Sequence, residues 1–197
     1  MGSKCVMDVS VLGVVLAGGQ ASRMNYVAKG LTQYQAKALI EYPLKALASV
    51  SASIMINANY DVGAYQAWGF DVFSDNSHCL EKGPLSGVYA ALLHAEQLGM
   101  THLIISPCDT PLVSSQVFEM LKQKAEKEPD TLFYIESDSG IQPLHAILPV
   151  QGVADKLQHY LEEQARVMLF YRQMNAKSVY WKEEKDFLNI NYLDQLA

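Results

Sequence analysis

Short apolar runs and helical stripes alternate along this chain, and their spacing predicts most of its elements. Val9 to Leu16 is nearly all apolar, the length and pattern of a strand buried on both faces. Ala38 to Val50 carries helical spacing, Ile54 to Ile56 reads as a short strand, and Tyr60 to Trp68 as a helix ended by Gly69. Asp71 to Phe73 is the next short strand. Gly83-Pro84 opens the strongest helix, because proline is tolerated in a first turn and Leu85, Val88, Tyr89, Leu92 and Leu93 then share one face; Gly99 closes it. Leu103-Ile104-Ile105 is a strand core followed by Pro107-Cys108-Asp109-Thr110-Pro111, where two prolines are expected to exclude both helix and ladder. Ser114 or Ser115 can cap a helix that runs to about Glu126. Leu132 to Ile135 and Leu144 to Leu148 read as strands, Gln151 to Glu163 and Val167 to Met174 as helices, and Ser178 to Trp181 as a late strand.

Strands that alternate with helices of this length predict an α/β fold: one Rossmann-like domain over residues 1–197, a three-layer α/β/α sandwich around a mostly parallel sheet, with residues 1–8 a loose N-terminal extension. Ligands of such sheets bind beyond the carboxyl ends of the strands.

Composition narrows the function mainly by exclusion. Half the residues are apolar, 18% are charged and the mean hydropathy is +0.02, which rules out a disordered chain. Fifteen Lys+Arg against 21 Asp+Glu give a net charge of −6, so no general nucleic-acid partner is expected, and a polyanionic ligand must be met by local charge or metal. Cys5, Cys79 and Cys108 have neither zinc spacing nor a disulfide framework, which fits a reducing compartment. Val11 to Ala17 is too short for a membrane helix, which needs roughly 20 apolar residues, and Asp8 spoils its likeness to a signal-peptide core. A cytoplasmic protein without a membrane partner is the expectation.

Candidate chemistry gathers after the strands. Directly beyond the first one, Leu16-Ala17-Gly18-Gly19 leads to Arg23 and Lys29. Gly18 and Gly19 allow backbone N–H groups to approach an anion, and the two bases supply positive charge. The segment is neither a Walker A loop nor a dinucleotide fingerprint, and a glycine turn with two solvated bases would read the same way. Asp109, at the end of the Leu103 to Ser106 strand, can hold a hard cation against a phosphate or serve as a turn or cap residue. Asn57 and Asp75 sit at two further strand ends, where turn chemistry is equally natural. Asn189 and Asn191 share one side of an extended segment, placed to bind phosphate or to cap the helix that follows. Cys108 reads as a packed side chain, and His78 and His145 as loop or core histidines.

Taken together, Leu16 to Met24, Lys29-Gly30, Gly83-Pro84-Leu85-Ser86-Gly87, Pro107 to Pro111, and Asn189 to Asn191 with Asp194 and Leu196 resemble the molybdenum cofactor guanylyltransferases. The first segment is shared by many nucleotidyltransferases of the glycosyltransferase-A-like, nucleotide-diphospho-sugar transferase-like fold; the later ones narrow the match. The resemblance implies transfer of GMP from Mg-GTP to the terminal phosphate of molybdenum-bound molybdopterin, with pyrophosphate leaving. It implies that Leu16, Ala17, Gly18 and Gly19 line the nucleotide, that Arg23 and Lys29 meet phosphates, that Asn57 and Asp75 contact the nucleoside, and that Asp109 ligates Mg²⁺. Asn189 and Asn191 would lie near metal and phosphates, and Arg166 on the pterin side. It further implies a monomer that meets molybdoenzyme chaperones or other cofactor-synthesis proteins.

The chain departs from the family pattern in places. Asn25 stands where glycine is usual, Ala28 replaces an aspartate, Ala36-Lys37-Ala38 replaces Gly-Lys-Pro, and only Arg166 remains of a paired arginine. Two other readings stay open: a nucleotidyltransferase that uses CTP or another NTP on a sugar or polyol phosphate, and a nucleotide-binding module of the same fold without turnover.

Overall fold

The computed structural model describes residues 9–18, 28–77 and 82–190. Its frame is a seven-stranded sheet built from β1 (Val11–Leu16), β4 (Ser53–Asn57), β5 (Asp71–Phe73), β6 (His102–Pro107), β7 (Phe133–Ser137), β8 (Gly140–Pro149) and β9 (Lys177–Tyr180), in the order β5-β4-β1-β6-β8-β7-β9. β8 alone runs against the others; it pairs antiparallel with both β6 and β7. Two short strands, β2 (Gln33–Tyr34) and β3 (Lys37–Ala38), form a separate hairpin.

Alternation along β1 divides the core into two layers. Val11 and Val15 face one side, against Leu44 and Leu47 of α1 (Glu41–Leu47), Tyr65 of α2 (Val62–Gln66), and Val117, Phe118 and Leu121 of α4 (Ser115–Lys127). Leu12 and Val14 face the other, against Leu85, Val88 and Leu92 of α3 (Pro84–Gln97), Leu157 and Leu161 of α5 (Val153–Glu163), and Phe170 and Tyr171 of α6 (Val167–Gln173). Each buried leucine or phenylalanine contributes about 1.5–3 kcal/mol of apolar transfer. This is the expected three-layer α/β/α architecture. No helix among the described residues is long and apolar enough to cross a membrane.

Most predicted elements recur with shifted ends, and the differences have physical causes. Pro107 lies within β6, in register with Leu16, so the first proline of the Pro-Cys-Asp-Thr-Pro segment closes a strand instead of excluding one. Helix α1 is shorter than the Ala38 to Val50 stripe and holds Pro43 in its first turn, where the missing N–H costs nothing. α2 covers only Val62–Gln66 of the Tyr60 to Trp68 segment. Ser114 caps α4, its hydroxyl accepting from the Gln116 N–H. β8 extends well beyond Leu144 to Leu148. Its pairing with β7 steps from Ala146 to Gln142, leaving Pro143, Leu144 and His145 in a break of register where Pro143 needs no ladder partner.

Candidate active site

β1 is followed by a crossover to β4 on one side, while β6 returns on the other, so β1 and β6 flank the topological switch point of the sheet. A cleft of about 720 Å³ opens at the carboxyl ends of these strands. Its walls come from Leu16, Ala17 and Gly18 after β1, Asn57, Asn59 and Tyr60 after β4, and Asp75 after β5. The rest comes from Pro107, Cys108 and Asp109 at the end of β6, Gly83, Pro84 and Gly87 of α3, Lys29, and Leu144 from the break in β8. Backbone bonds lock the strand ends together: Ala17 N–H donates to the Asn57 carbonyl (2.8 Å), Cys108 N–H to that of Leu16 (3.1 Å) and Ala58 N–H to that of Phe73 (2.9 Å).

Two polar constellations line this cleft. In the first, Lys29 forms an ion pair with Asp109 Oδ2, and its ammonium also donates to Asn189 Oδ1 (3.3 Å). Asp109 Oδ1 is buried and has no hydrogen-bond partner among the described residues. Leaving such an acceptor unmade costs roughly 1–3 kcal/mol, more when charged, which marks it as a ligand position waiting for a donor or a cation. The turn bearing Asp109 is held from three directions. Ile190 N–H donates to the Asp109 carbonyl (2.9 Å), Thr110 Oγ1 bonds His145 Nε2 (3.0 Å), and the His145 ring packs between Phe118 and Phe187. Burial pushes His145 down to about 3, so this histidine is a neutral structural group. Cys108 is buried too, and burial, with the Asp109 charge beside it, pushes its thiol up to about 12, which makes it inert as a nucleophile.

The second constellation is a ring of amides around one carboxylate. Asn57 Nδ2 donates to Asp75 Oδ1 and Asn59 Nδ2 to Asp75 Oδ2, both at 2.9 Å. Asp75 N–H donates back to Asn59 Oδ1 (2.9 Å). Asn57 is buried, and two glycines make room for it: a Cβ on Gly18 would lie 3.1 Å from Asn57 Oδ1, and one on Gly87 only 2.3 Å from it. The Gly-Pro-Leu-x-Gly segment is thereby explained. Gly83 takes φ +65° to start α3, and Gly87, one turn into it, is flat enough to seat Asn57.

Of the residues singled out from sequence, Leu16, Ala17, Gly18, Lys29, Asn57, Asp75 and Asp109 meet in one cleft, and Asn189 reaches it through Lys29. Arg166 is exposed at the start of α6, outside that lining. Gly19, Arg23, Asn25, His78, Asn191, Asp194, Leu196, Cys5, Cys79 and the extension 1–8 lie outside the described residues. Asn59, Tyr60 and Leu144 were not anticipated. The Asn57-Ala58-Asn59 spacing, the same as in Asn189 to Asn191, was the available signal for Asn59. Ala28, in the place of the family's aspartate, is buried in the α1/α4-side core, and Lys29 pairs with the carboxylate of Asp109.

A family model described as a MobA-like NTP transferase domain matches residues 13–177. A molybdenum cofactor guanylyltransferase of Vibrio campbellii is 36% identical over 93% of this chain and 92% of its own. The chain belongs to the MobA-like NTP transferase family. A second relative in it, a molybdenum cofactor guanylyltransferase of Haemophilus influenzae, is 33% identical over 96% of this chain and 97% of its own. The fold matches the crystal structure of molybdopterin-guanine dinucleotide biosynthesis protein A from Archaeoglobus fulgidus, with a TM-score of 0.71, 23% identity and 94% of each chain covered. As a MobA-like NTP transferase, the chain is a nucleotidyltransferase, and its cleft lies where ligands of such sheets bind.

Proposed function

We propose that the cleft binds GTP with Mg²⁺ and that the chain transfers GMP to the terminal phosphate of molybdenum-bound molybdopterin. An oxygen of that phosphate attacks the α-phosphorus, the new O–P bond forms as the bond to the bridging oxygen breaks, and pyrophosphate leaves. The observation that carries the reading is the Lys29–Asp109 pair at the end of β6, with Asp109 Oδ1 buried and unpartnered beside the glycine end of β1. The relatives' activity as molybdenum cofactor guanylyltransferases points to a guanylyl group and a molybdenum-cofactor acceptor.

The attacking phosphate is already anionic, so the reaction needs alignment and charge neutralisation more than a protein nucleophile. The described residues suit that division of labour. Lys29 brings a point charge to the phosphates and the backbone of Leu16, Ala17 and Gly18 cradles them; Gly19 and Arg23 are assigned to the same phosphates by the sequence pattern alone. Asn57 and Asp75 hold the nucleoside; Asn189, through Lys29, serves the phosphate side, with Asn191 assigned there by the sequence pattern, and Arg166 meets the pterin. A single carboxylate fits Mg²⁺, which takes one or two protein carboxylates and completes its shell with phosphate oxygens and water; among the described residues no group of three His, Cys, Asp or Glu side chains forms a protein-only cage. Bound at Asp109, the ion would offset charge on the α-phosphate and the leaving group. Binding then exchanges the Lys29–Asp109 pair for lysine–phosphate and carboxylate–metal contacts. The reading carries with it a cytoplasmic monomer working beside molybdoenzyme chaperones or other cofactor-synthesis proteins, in keeping with the free thiol of Cys108.

The test is pyrophosphate release from GTP, CTP, ATP and UTP with Mg²⁺ and molybdopterin. Turnover is expected with GTP, and saturating Mg-GTP at 100 times its Kd should raise the Tm by roughly 5–11 °C. Faster turnover with CTP on a sugar or polyol phosphate, or tight GTP binding without any turnover, would replace this reading by one of its two rivals.

A further inference from the structure

We infer that Asn59 is the residue that sets guanine selectivity, by locking the Asp75 carboxylate into one orientation; this rests on the cleft being a GTP site. Asn59 makes a two-point clasp on Asp75. Its Nδ2 donates to the carboxylate oxygen Oδ2 and its Oδ1 accepts from the Asp75 backbone N–H, each at 2.9 Å. The same Nδ2 lies 3.4 Å from the Gly18 carbonyl, which ties the clasp to the end of β1. Asn57 Nδ2 donates to the other carboxylate oxygen, Oδ1. A carboxylate on a loop normally rotates about χ2; here both oxygens are pinned by amides from the end of β4.

The chemistry of that pinned group discriminates between bases. An ionised carboxylate only accepts, and its two oxygens have about four acceptor positions between them, of which the amides take one on each. What remains is acceptor capacity on each of the two oxygens, a pair that two adjacent N–H donors can match. Guanine presents that pair on its Watson–Crick edge, as N1–H and the 2-amino group. Adenine and cytosine each place a ring-nitrogen acceptor beside one amino donor, so one carboxylate oxygen would face a lone pair. Uracil flanks its one N–H with two carbonyls. Selectivity therefore depends on the carboxylate holding both oxygens toward the base edge, and the clasp of Asn59 supplies this. The polar groups of Asn59 are committed to Asp75 and Gly18, so it acts through Asp75 as a positioning residue.

The experiment is the ratio of dissociation constants for Mg-ITP and Mg-GTP, measured by calorimetry on the full chain, its Asn59→Ala variant and its Asn59→Asp variant. ITP lacks only the 2-amino group. The unaltered chain is expected to prefer GTP by about tenfold or more, the worth of one hydrogen bond to a charged group. In Asn59→Ala the ratio should collapse to within about threefold, mainly through weaker GTP binding. Asn59→Asp keeps the acceptor for the Asp75 N–H but sets a second carboxylate against the first, and it should lose the preference as well. Melting without nucleotide identifies a variant that has failed to fold, in which case the other variant decides. A variant that folds and keeps the full GTP preference overturns the inference. An unaltered chain that fails to bind GTP overturns instead the reading of the cleft on which it rests.

Discussion

Gly87→Ala sets two structural effects against each other, and the structure gives the sign. Inside a helix, alanine is favoured over glycine by about 1 kcal/mol, so propensity alone predicts a more stable protein. The added Cβ, however, would lie 2.3 Å from Asn57 Oδ1, 3.0 Å from its Cγ and 3.2 Å from Leu16 Cδ2. Asn57 is buried at the end of β4 and cannot swing away freely, and moving it sacrifices its bond to the Asp75 carboxylate, worth about 1.5–3 kcal/mol as a hydrogen bond to a charged group. Subtracting the propensity gain leaves a net cost of about 0.5–2 kcal/mol. At roughly 2–4 °C per kcal/mol for a chain of this size, the Tm should fall by about 1–8 °C. The same displacement disorders the Asn57–Asp75 side of the cleft, so on the proposed function the Kd for Mg-GTP should rise about tenfold or more. Gly63→Ala is the matched control. It also lies in a helix, but a Cβ there meets nothing within 4 Å, so the Tm should hold or rise by a few degrees with binding unchanged. If Gly87→Ala melts higher, as the control does, and binds Mg-GTP normally, the seating of Asn57 by Gly87 is refuted.

Asp109→Asn should lower turnover about a hundredfold or more while the apo Tm moves by roughly 4 °C or less; a destabilised but active variant would return Asp109 to a turn role. Gln35 and Ala36 hold φ of +48° and +63° in the two-residue turn between β2 and β3, so the double substitution Gln35→Asn, Ala36→Gly should stabilise by about 1 kcal/mol or more, read as a rise in the urea midpoint. Cys108 in the folded protein should resist alkylation at pH 8 and react only on unfolding, as mass spectrometry would show; fast labelling of the native chain would contradict its burial. His145 stays neutral in the fold down to about pH 3 but protonates near 6.5 when unfolded. The unfolded state therefore binds the extra proton, and this residue's contribution, complete above pH 6.5, declines by up to about 1.4 kcal/mol per pH unit toward pH 3. His145→Gln should flatten the stability profile between pH 6 and 4.5, and an unchanged slope would exclude the effect.

Periodicity made the framework legible wherever one face or both faces of an element are buried. β1, β5, α3 and α4 were readable because their apolar positions repeat at the strand or helix period and their ends carry glycine, proline or serine signals. Strand direction leaves no such trace. The carboxyl half of β8 is apolar like the parallel strands of the sheet, and only its register with β6 and β7 reveals that it runs the other way. The β2–β3 hairpin went unread because its turn is Gln-Ala, and neither residue announces a positive φ as Asn-Gly would. In the site, residues that end strands were found because strand ends converge in this fold. Asn59 and Leu144 were not, since one acts through another side chain and the other depends on a break in register.

The contact between Lys29 and Asn189 joins positions 160 residues apart, and Ile190 clasps the Asp109 carbonyl from that same late segment. Ribosomes build chains from the amino end at roughly 5–20 residues per second, so about 8–32 s separate the synthesis of Lys29 from that of Asn189. β1, an inner strand, meanwhile waits for β4 to pair its first edge and for β6 to pair its second. A nascent chain could therefore hold most of its sheet and still lack the segment that fixes the Asp109 turn. The Asp109 turn would reach its final form only once Asn189 and Ile190 have emerged, well after the strands that surround it.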